Sequence, residues 1–321
     1  MNRTYLILAL SLLLAVPAHA QLARIEVHPF ESVTLTDQQI LTGSKGGQRV
    51  ILGGELRIPS LGRSRLPAVI LVHGSGGVSG YVDDWSHSLN AMGVATFILD
   101  SFTGRGIARV DEDQDQLARL AQTVDLYRAL ELLAKHPRID PQRIAVMGFS
   151  RGGSATLYAS LKRLQRVHGA ANGLELAAYI TLYANCGTTY VDETEIVDKP
   201  VRMFHGSADD WNSVEPCRAY AERLRKSGKD VLLTEYAGAQ HVFDWARLKK
   251  PLKLPQAQNA SGCQLREAPD GSIINAVTRA PFTWVGDPCV ERGATVAYDA
   301  DAHKQVLSAV TEFIRSTLNV K

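Results

Sequence analysis

The 321-residue sequence predicts an α/β fold, in which a mainly parallel, twisted sheet carries helices on both faces. Short apolar runs alternate with longer segments in which apolar residues recur at helical spacing. Some of these runs, such as residues 68–72, are apolar without alternation, which is typical of a strand covered on both faces. Glycine and polar residues follow the ends of the runs, where parallel sheets bind their ligands.

In chain order, two strand-like segments come first and a regular series of strands and helices follows. We expect strands at 23–35, 49–58, 68–72, 94–99, 143–146, 177–183, 201–204 and 231–236. We expect helices at 85–92, at 114–135, from 153 onward, around 220–225 and at 302–318. Strands joined by helices form right-handed crossovers in a parallel sheet. A single domain, residues 21–321, accounts for all of these elements.

The first 20 residues have the pattern of a secretory signal peptide. Arg3 supplies the positive charge, residues 5–16 are apolar, and residues 18–20 read A-x-A, a cleavage site. The apolar run is shorter than the roughly 20 residues of a membrane span, and no cysteine follows it that could carry a lipid anchor. We therefore expect an exported protein, periplasmic or secreted, that is cleaved after Ala20 and has no stable membrane anchor.

The mature chain contains four cysteines, an even number in an oxidising compartment. Cys186 and Cys217 lie just beyond the ends of successive predicted strands, so they could meet across neighbouring strands. Cys263 and Cys289 both lie in segment 248–298, which is rich in Pro, Gly, Asn and Asp. We predict the disulfides Cys186–Cys217 and Cys263–Cys289, with free buried thiols as the alternative. Segment 248–298 is then an irregular, disulfide-tied excursion before the last helix.

Charge and motif spacing exclude several classes of ligand. The formal net charge is only +2 and Lys and Arg form no dense cluster, so we expect no nucleic-acid partner. The His-x-His, His-Glu-x-x-His and Cys-x-x-Cys spacings are missing, so we expect no metal. The glycines of 74–77 lack the remainder of a nucleotide-binding fingerprint, so we expect no cofactor. The sequence carries no indication of the oligomeric state.

Residues 148–152 read G-F-S-R-G directly after a predicted strand, the pattern of a nucleophile elbow. Such a turn holds its serine in a strained backbone conformation, and the positions two residues away must lack bulk. Gly148 and Gly152 meet that demand around Ser150. The bare motif is common by chance, so its position at a strand end and the residues that follow it decide the interpretation.

A serine hydroxyl needs a neighbouring base, which a carboxylate in turn orients. In this arrangement the acid and then the histidine follow the serine along the chain. His241 follows the last predicted strand and is the candidate base. The candidate acids, Asp209 and Asp210, follow the strand before it. Asp209 is favoured because it lies three residues after Gly206, and Asp210 is the alternative, with a role in capping the loop.

Hydrolysis through a serine also requires amide groups that stabilise the oxyanion. We expect them to be the backbone N–H groups of Arg151, directly after the nucleophile, and of Ser75 in the loop 73–77. His73 and His205 also follow strands, and we interpret them as structural residues that hold their loops by hydrogen bonds.

With these motifs the chain resembles the dienelactone hydrolase family of the α/β-hydrolase superfamily over nearly all of its mature sequence. The resemblance rests on residues 73–77, 100–102, 105–106, 148–153, 206–209 and 240–244. It implies the α/β-hydrolase fold, and it implies that Arg105 binds a substrate carboxylate; the alternative is an ion pair with one of the acids in 111–115. The namesake enzyme of the family uses a cysteine nucleophile and a glutamate on the oxyanion loop. This chain has Ser150 instead and no glutamate on that loop.

The expected function is that of a serine hydrolase that cleaves small carboxylic esters or lactones through an acyl-enzyme on Ser150, with a small-molecule ester as its partner. A serine peptidase-like hydrolase is one alternative, although such enzymes usually carry a propeller domain for which this length leaves no room. A catalytically inactive exported binding protein is the other. Against it, every position of the triad is filled by a competent residue.

Overall fold

The structure, a computed structural model, describes residues 22–44, 46–60 and 65–320; the predicted signal peptide at 1–20 lies outside these ranges. The first nine strands are β1 (Leu22–Thr34), β2 (Gln48–Pro59), β3 (Leu66–Val72), β4 (Ala95–Asp100), β5 (Ile139–Phe149), β6 (Tyr179–Leu182), β7 (Thr188–Thr189), β8 (Val201–Gly206) and β9 (Val231–Tyr236). All of these except β7 form one eight-stranded sheet in the order β1-β2-β4-β3-β5-β6-β8-β9.

The pairing within this sheet confirms the prediction of a mainly parallel sheet. Strands β3, β4, β5, β6, β8 and β9 pair in parallel, whereas β1 with β2 and β2 with β4 pair in the antiparallel sense. Every residue of β3 is buried, as its unbroken apolar sequence predicts. The carboxyl ends of β5, β8 and β9 therefore open at the same edge of the sheet.

The helices are α1 (Asp37–Thr42), α2 (Gly80–Ala91), α3 (Ala121–Ala134), α4 (Arg151–Tyr158), α5 (Lys162–His168), α6 (Val214–Lys226) and α7 (Ala300–Thr317). Alternate residues of β3 belong to different core clusters. Ile70 packs in a cluster with side chains of α3, α4, α5 and α6, and Leu71 packs in a second cluster with α2 and α7. Helices thus cover both faces of the sheet, and the predicted α/β-hydrolase fold is confirmed.

The helix predicted at 114–135 is shorter than its apolar periodicity indicates. Only one 3₁₀ turn forms at Gln114–Gln116, and α3 begins at Ala121. The reason is tertiary: the carbonyls of residues 117 and 118 accept from the Arg151 guanidinium, and the next two amides donate to the Asp37 carboxylate. Backbone groups bound in this way are not available to a helical ladder.

Segment 248–298 contains six short strands, namely β10 (Leu252–Lys253), β11 (Gln258–Asn259), β12 (Leu265–Glu267), β13 (Ile273–Asn275), β14 (Glu291–Arg292) and β15 (Thr295–Val296). Both predicted disulfides are confirmed: Cys186 pairs with Cys217, and Cys263 pairs with Cys289. Within the described ranges, none of the helices combines the length and the apolar composition needed to cross a lipid bilayer.

Candidate active site

Ser150 lies at the turn between β5 and α4 with φ 53° and ψ −116°. A non-glycine residue at positive φ is strained, and such strain is typical of functional turns. The turn is tight enough to exclude side chains on either side. A Cβ on Gly148 would lie 2.1 Å from the Gly152 carbonyl oxygen, and a Cβ on Gly152 would lie 2.2 Å from the Val72 carbonyl oxygen. Only glycine fits at both positions, as the sequence motif predicts.

The structure brings the three predicted triad residues into one hydrogen-bonded chain. The Ser150 hydroxyl lies 2.9 Å from Nε2 of His241, and Nδ1 of His241 lies 2.7 Å from Oδ2 of Asp209. An ionised carboxylate only accepts hydrogen bonds, so Nδ1 carries the imidazole proton and donates it to Asp209. Nε2 is then free to accept from the Ser150 hydroxyl. This is the proton arrangement that a nucleophilic serine needs.

Asp209 is buried and accepts hydrogen bonds at both carboxylate oxygens. Oδ1 accepts from the backbone amides of Trp211 and Asn212 at 3.0 and 2.8 Å. Burial alone raises the pKa of Asp209, but the charge of His241 and hydrogen bonds from His205 and His241 outweigh it and leave the pKa below its usual value. The carboxylate is therefore held in its charged form, ready to orient the base.

The neighbouring Asp210 points elsewhere. It is exposed, and its Oδ1 accepts from the amide of Thr295 at 2.8 Å. Thr295 belongs to β15, so Asp210 anchors the end of segment 248–298 to the loop that carries Asp209. The same segment also reaches the base, because Val296 forms a β-bridge with His241. Geometry thus favours Asp209 as the acid and gives Asp210 a structural contact.

Ser75 and Arg151, the predicted oxyanion residues, line one cavity together with Ser150. Arg151 is the first residue of α4, where amides have no partner within the helix. Among the described residues, neither the Ser75 amide nor the Arg151 amide forms a hydrogen bond. Both donors are thus free to bind an oxygen that develops negative charge, and a helix N-terminus favours such charge.

The Arg151 side chain plays a separate part that the sequence does not indicate. Its guanidinium is buried and donates to Oε1 of Gln114 and to the carbonyls of Leu117 and Ala118. Burial is the main cause that lowers the pKa of Arg151 to about 10. The side chain thus remains charged near neutral pH and braces the segment before α3 against the nucleophile turn.

Arg105, the predicted carboxylate-binding residue, does not line the cavity of Ser150. Its guanidinium makes a bidentate ion pair with Asp125, with N–O distances of 2.8 and 2.9 Å, and also donates to the Ser101 carbonyl. The Arg105 side chain is 5% exposed and the Asp125 side chain is fully buried. We correct the interpretation accordingly: Arg105 binds a buried acid rather than substrate, and that acid lies outside 111–115.

His73 and His205 hold loops, as predicted. Nδ1 of His73 donates to the Gly74 carbonyl at 2.8 Å and its Nε2 accepts from the Ser101 amide at 3.2 Å; burial lowers the pKa of His73. His205 donates to the Asn212 carbonyl at 2.7 Å, and the same Nε2 lies 3.4 Å from Asp209. His205 therefore also borders the acid, a contact that sequence position alone does not indicate.

The cavity beside Ser150 has a volume of about 60 Å³. Its walls include residues that the sequence analysis does not single out as site residues, because no catalytic motif marks them. They are Gln114, Arg119, Leu120, Ser154, Tyr158, Asn185, Tyr190, Trp211, Asn212, Gln258, Ala260 and Trp284. Trp211 also packs against His241, with 5.0 Å between the ring centroids.

One group of side chains among the described residues could place three ligand atoms around a metal ion, namely Glu26, His28 and His136. The group does not line the cavity of Ser150. Nδ1 of His136 accepts from the Arg138 amide at 3.2 Å, so Nε2 carries the proton and donates to Glu26. Glu26 also binds His28 at 2.8 Å. These hydrogen bonds account for the cluster without an ion.

Several known proteins are similar to this chain. The family model of the dienelactone hydrolase family matches residues 56–318. A curated Bradyrhizobium protein named "Probable 2-oxo-3-(5-oxofuran-2-ylidene)propanoate lactonase" is 24% identical over 200 residues, which are 59% of this chain and 80% of that protein. An acyl-protein thioesterase 1 of Gibberella zeae is 34% identical over 107 residues, 32% of this chain and 43% of its own.

Two solved structures show the same fold. A dienelactone hydrolase-like promiscuous phosphotriesterase from metagenomic libraries has a TM-score of 0.55 at 16% identity, covering 91% of this chain and 98% of its own. An α/β hydrolase enzyme from a deep-sea metagenome library has a TM-score of 0.51 at 14% identity, with the same coverage. The family match, which spans most of the chain, identifies it: the chain belongs to the dienelactone hydrolase family and is a hydrolase that acts on ester bonds.

Proposed function

We propose that the protein is a serine hydrolase that cleaves small carboxylic esters or lactones through an acyl-enzyme on Ser150. The observation that carries this proposal is the hydrogen-bonded chain from Asp209 through His241 to the Ser150 hydroxyl. The names of the relatives, a lactonase and a thioesterase, support a carbonyl carbon as the point of attack. The two disulfides support export to an oxidising compartment, as the sequence of 1–20 predicts.

In the first step, Nε2 of His241 takes the proton of the Ser150 hydroxyl while Oγ bonds to the carbonyl carbon of the substrate. The carbonyl oxygen becomes an oxyanion, which the amides of Ser75 and Arg151 stabilise. Asp209 stabilises the imidazolium that forms, because its carboxylate is already charged and in contact with Nδ1. The bond to the alcohol oxygen then breaks, and His241 returns the proton to the leaving alcohol.

In the second step, water attacks the acyl-enzyme. His241 takes one proton from the water while the water oxygen bonds to the acyl carbon. The carbonyl oxygen again becomes an oxyanion, and the same two amides stabilise it. The bond between the acyl carbon and Oγ breaks, and the proton passes from His241 to Ser150. The carboxylic acid leaves and the resting hydroxyl is restored. A lactone follows the same steps, except that its alcohol remains tethered to the acyl group.

Labelling with a fluorophosphonate tests this proposal directly, since the reagent bonds only to activated serines. We expect one label per wild-type molecule and none on Ser150→Ala, with loss of hydrolysis of 4-nitrophenyl esters in the same variant. Ser308→Ala, at an exposed position of α7, is the matched control and keeps both properties. Labelling or ester hydrolysis that survives in folded Ser150→Ala would contradict the acyl-enzyme on Ser150.

A further inference from the structure

The disulfide-tied segment 248–298 forms a wall of the cavity beside Ser150. Three of its residues, Gln258, Ala260 and Trp284, line the same cavity as Ser75 and Arg151. The oxyanion donors are thus on the cavity side of the nucleophile. His241, which must protonate the leaving alcohol, does not line the cavity. An ester bound for attack therefore places its acyl group in the cavity and its alcohol on the side of His241.

Gln258 ties this wall to the body of the enzyme. Its Oε1 accepts from the Gln114 amide at 2.7 Å, and its carbonyl accepts from Nε1 of Trp211 at 2.9 Å. Its Nε2 donates to the Trp284 carbonyl at 3.2 Å. Through its side chain and its backbone carbonyl, Gln258 thus connects the loop before α3, the loop of Asp209 and the strip of chain that carries Trp284. The wall is a fixed part of the site.

The loop that carries Trp284 is closed at its base in two ways. Strand β11 pairs with β14, and Cys263 is bonded to Cys289 just inside that pair. Within the loop, the rings of Phe282 and Trp284 pack edge to face with 5.4 Å between their centroids. A loop with these constraints has little freedom to move a bulky side chain away from the cavity.

Arg119, which also lines the cavity, lies against these two rings. Its guanidinium lies 5.5 Å from the centroid of Phe282 and 5.3 Å from that of Trp284, within the range of cation–π attraction. Among the described residues, the Arg119 side chain has no ion-pair or hydrogen-bond partner, and its Nη1 is buried. The two rings are its cation–π partners, and this contact holds Trp284 against the Arg119 guanidinium.

We infer that Trp284 is a specificity-determining residue that restricts the substrate to esters of short, compact acyl groups, and that Arg119 is its positioning residue. This inference rests on the proposed function. The cavity of about 60 Å³ has room for only a few atoms beyond the carbonyl carbon. A longer acyl chain would have to displace the indole of Trp284, which the closed loop and Arg119 resist.

A series of 4-nitrophenyl esters from acetate to octanoate tests the inference through kcat/KM at each length. We expect the wild type to prefer acetate and propionate. Trp284→Ala enlarges the cavity, so the ratio of octanoate to acetate rises about tenfold or more. Trp284→Phe keeps an aromatic ring in the loop and should raise the same ratio by less. It keeps the inference testable if Trp284→Ala does not fold.

Arg119→Gln removes the cation that packs on Trp284 and shifts the profile in the same direction as Trp284→Ala. This change of acyl preference separates a positioning role from a general loss of stability, which lowers kcat at all lengths alike. The matched control is a cation–π pair outside the cavity, Arg202 over Phe313 at 4.8 Å. Arg202→Gln and Phe313→Ala leave the ratio of octanoate to acetate at its wild-type value.

Two results would overturn the inference while the proposed function stands: a wild type that hydrolyses octanoate as well as acetate, or a folded Trp284→Ala with an unchanged profile. If the wild type hydrolyses no ester, the proposed function fails. The inference is then tested by measuring how fast Ser150 reacts with fluorophosphonates that carry methyl to octyl chains. Ser150 should react faster with the short reagents, and Trp284→Ala should abolish that difference. Equal rates at all lengths, or no reaction at all, would overturn it.

Discussion

The ring of Tyr183 packs against the imidazole of His241, with 4.7 Å between centroids, while its hydroxyl donates to Asp244 at 3.0 Å. The other oxygen of Asp244 accepts from Nε1 of Trp85 at 2.6 Å. Asp244 lies three residues after His241 in the chain, and its hydrogen bond holds Tyr183 against the His241 ring. No basic side chain neutralises this carboxylate through a direct contact among the described residues.

Burial raises the pKa of Asp244 despite its two hydrogen bonds, and this predicts a pH dependence of stability. An acid with a raised pKa in the folded state favours folding most when it is protonated. That contribution is complete below the pKa of the unfolded chain and is lost as the pH rises through the folded pKa. We therefore expect Asp244→Asn to gain stability relative to wild type as the pH rises above about 4, the ordinary pKa of an aspartate.

Urea unfolding of both proteins at several pH values measures this difference. The prediction concerns how the difference in unfolding free energy between the two proteins changes with pH. Its absolute size is not predicted, because the substitution also alters the hydrogen bonds to Tyr183 and Trp85 at every pH. A difference in unfolding free energy that stays constant across the range would contradict the prediction.

Asp209→Asn should lower kcat by about 10⁴, the size of effect seen when a triad histidine is held in the wrong tautomer. The amide nitrogen of asparagine would donate to Nδ1, and the imidazole proton would then lie on Nε2, facing Ser150. Asp210→Asn is the matched control and should change kcat far less, because Asp210 contacts Thr295 rather than the base. Steady-state kinetics on one ester decides between them, and the reverse order of effects would make Asp210 the acid.

Arg105→Gln should destabilise the protein by about 3–5 kcal/mol, because it leaves the Asp125 carboxylate buried without its cation. We expect KM for small esters to stay near the wild-type value, since Arg105 does not line the cavity. Lys226→Gln is the comparison: the side chains of Lys226 and its partner Glu222 are 75% and 56% exposed, so losing this pair should destabilise the protein far less. A large rise in KM for anionic esters alone would restore Arg105 to substrate binding.

Local patterns in the sequence predict the parts of the site that depend on local geometry. The elbow glycines are visible because the turn excludes a Cβ at both positions, and chain order places Asp209 and His241 at the same sheet edge as Ser150. The sheet itself follows from unbroken apolar runs such as β3. These features need only neighbours within a few residues, or the rule that parallel strands end at one edge.

The remaining features depend on partners far away in the chain. The start of α3 is set by Arg151 and Asp37, which take the backbone groups that its periodicity would use. The partner of Arg105 is Asp125, which lies on α3, and nothing in the sequence marks this acid as the partner. The wall around Trp284 lies in a segment of short strands without periodicity, so only tertiary contacts show which of its side chains reach the cavity.

The contacts of β15 have a consequence for how this enzyme could vary. Thr295 binds Asp210 beside the acid, and Val296 bridges to His241 itself. The segment that forms a wall of the cavity thus also contacts both loops that carry the proposed acid and base. Trimming it away to reach a minimal hydrolase would loosen the catalytic geometry along with the selectivity. New acyl preferences are more readily obtained by exchanging side chains on its inner surface, with its two ends left in place.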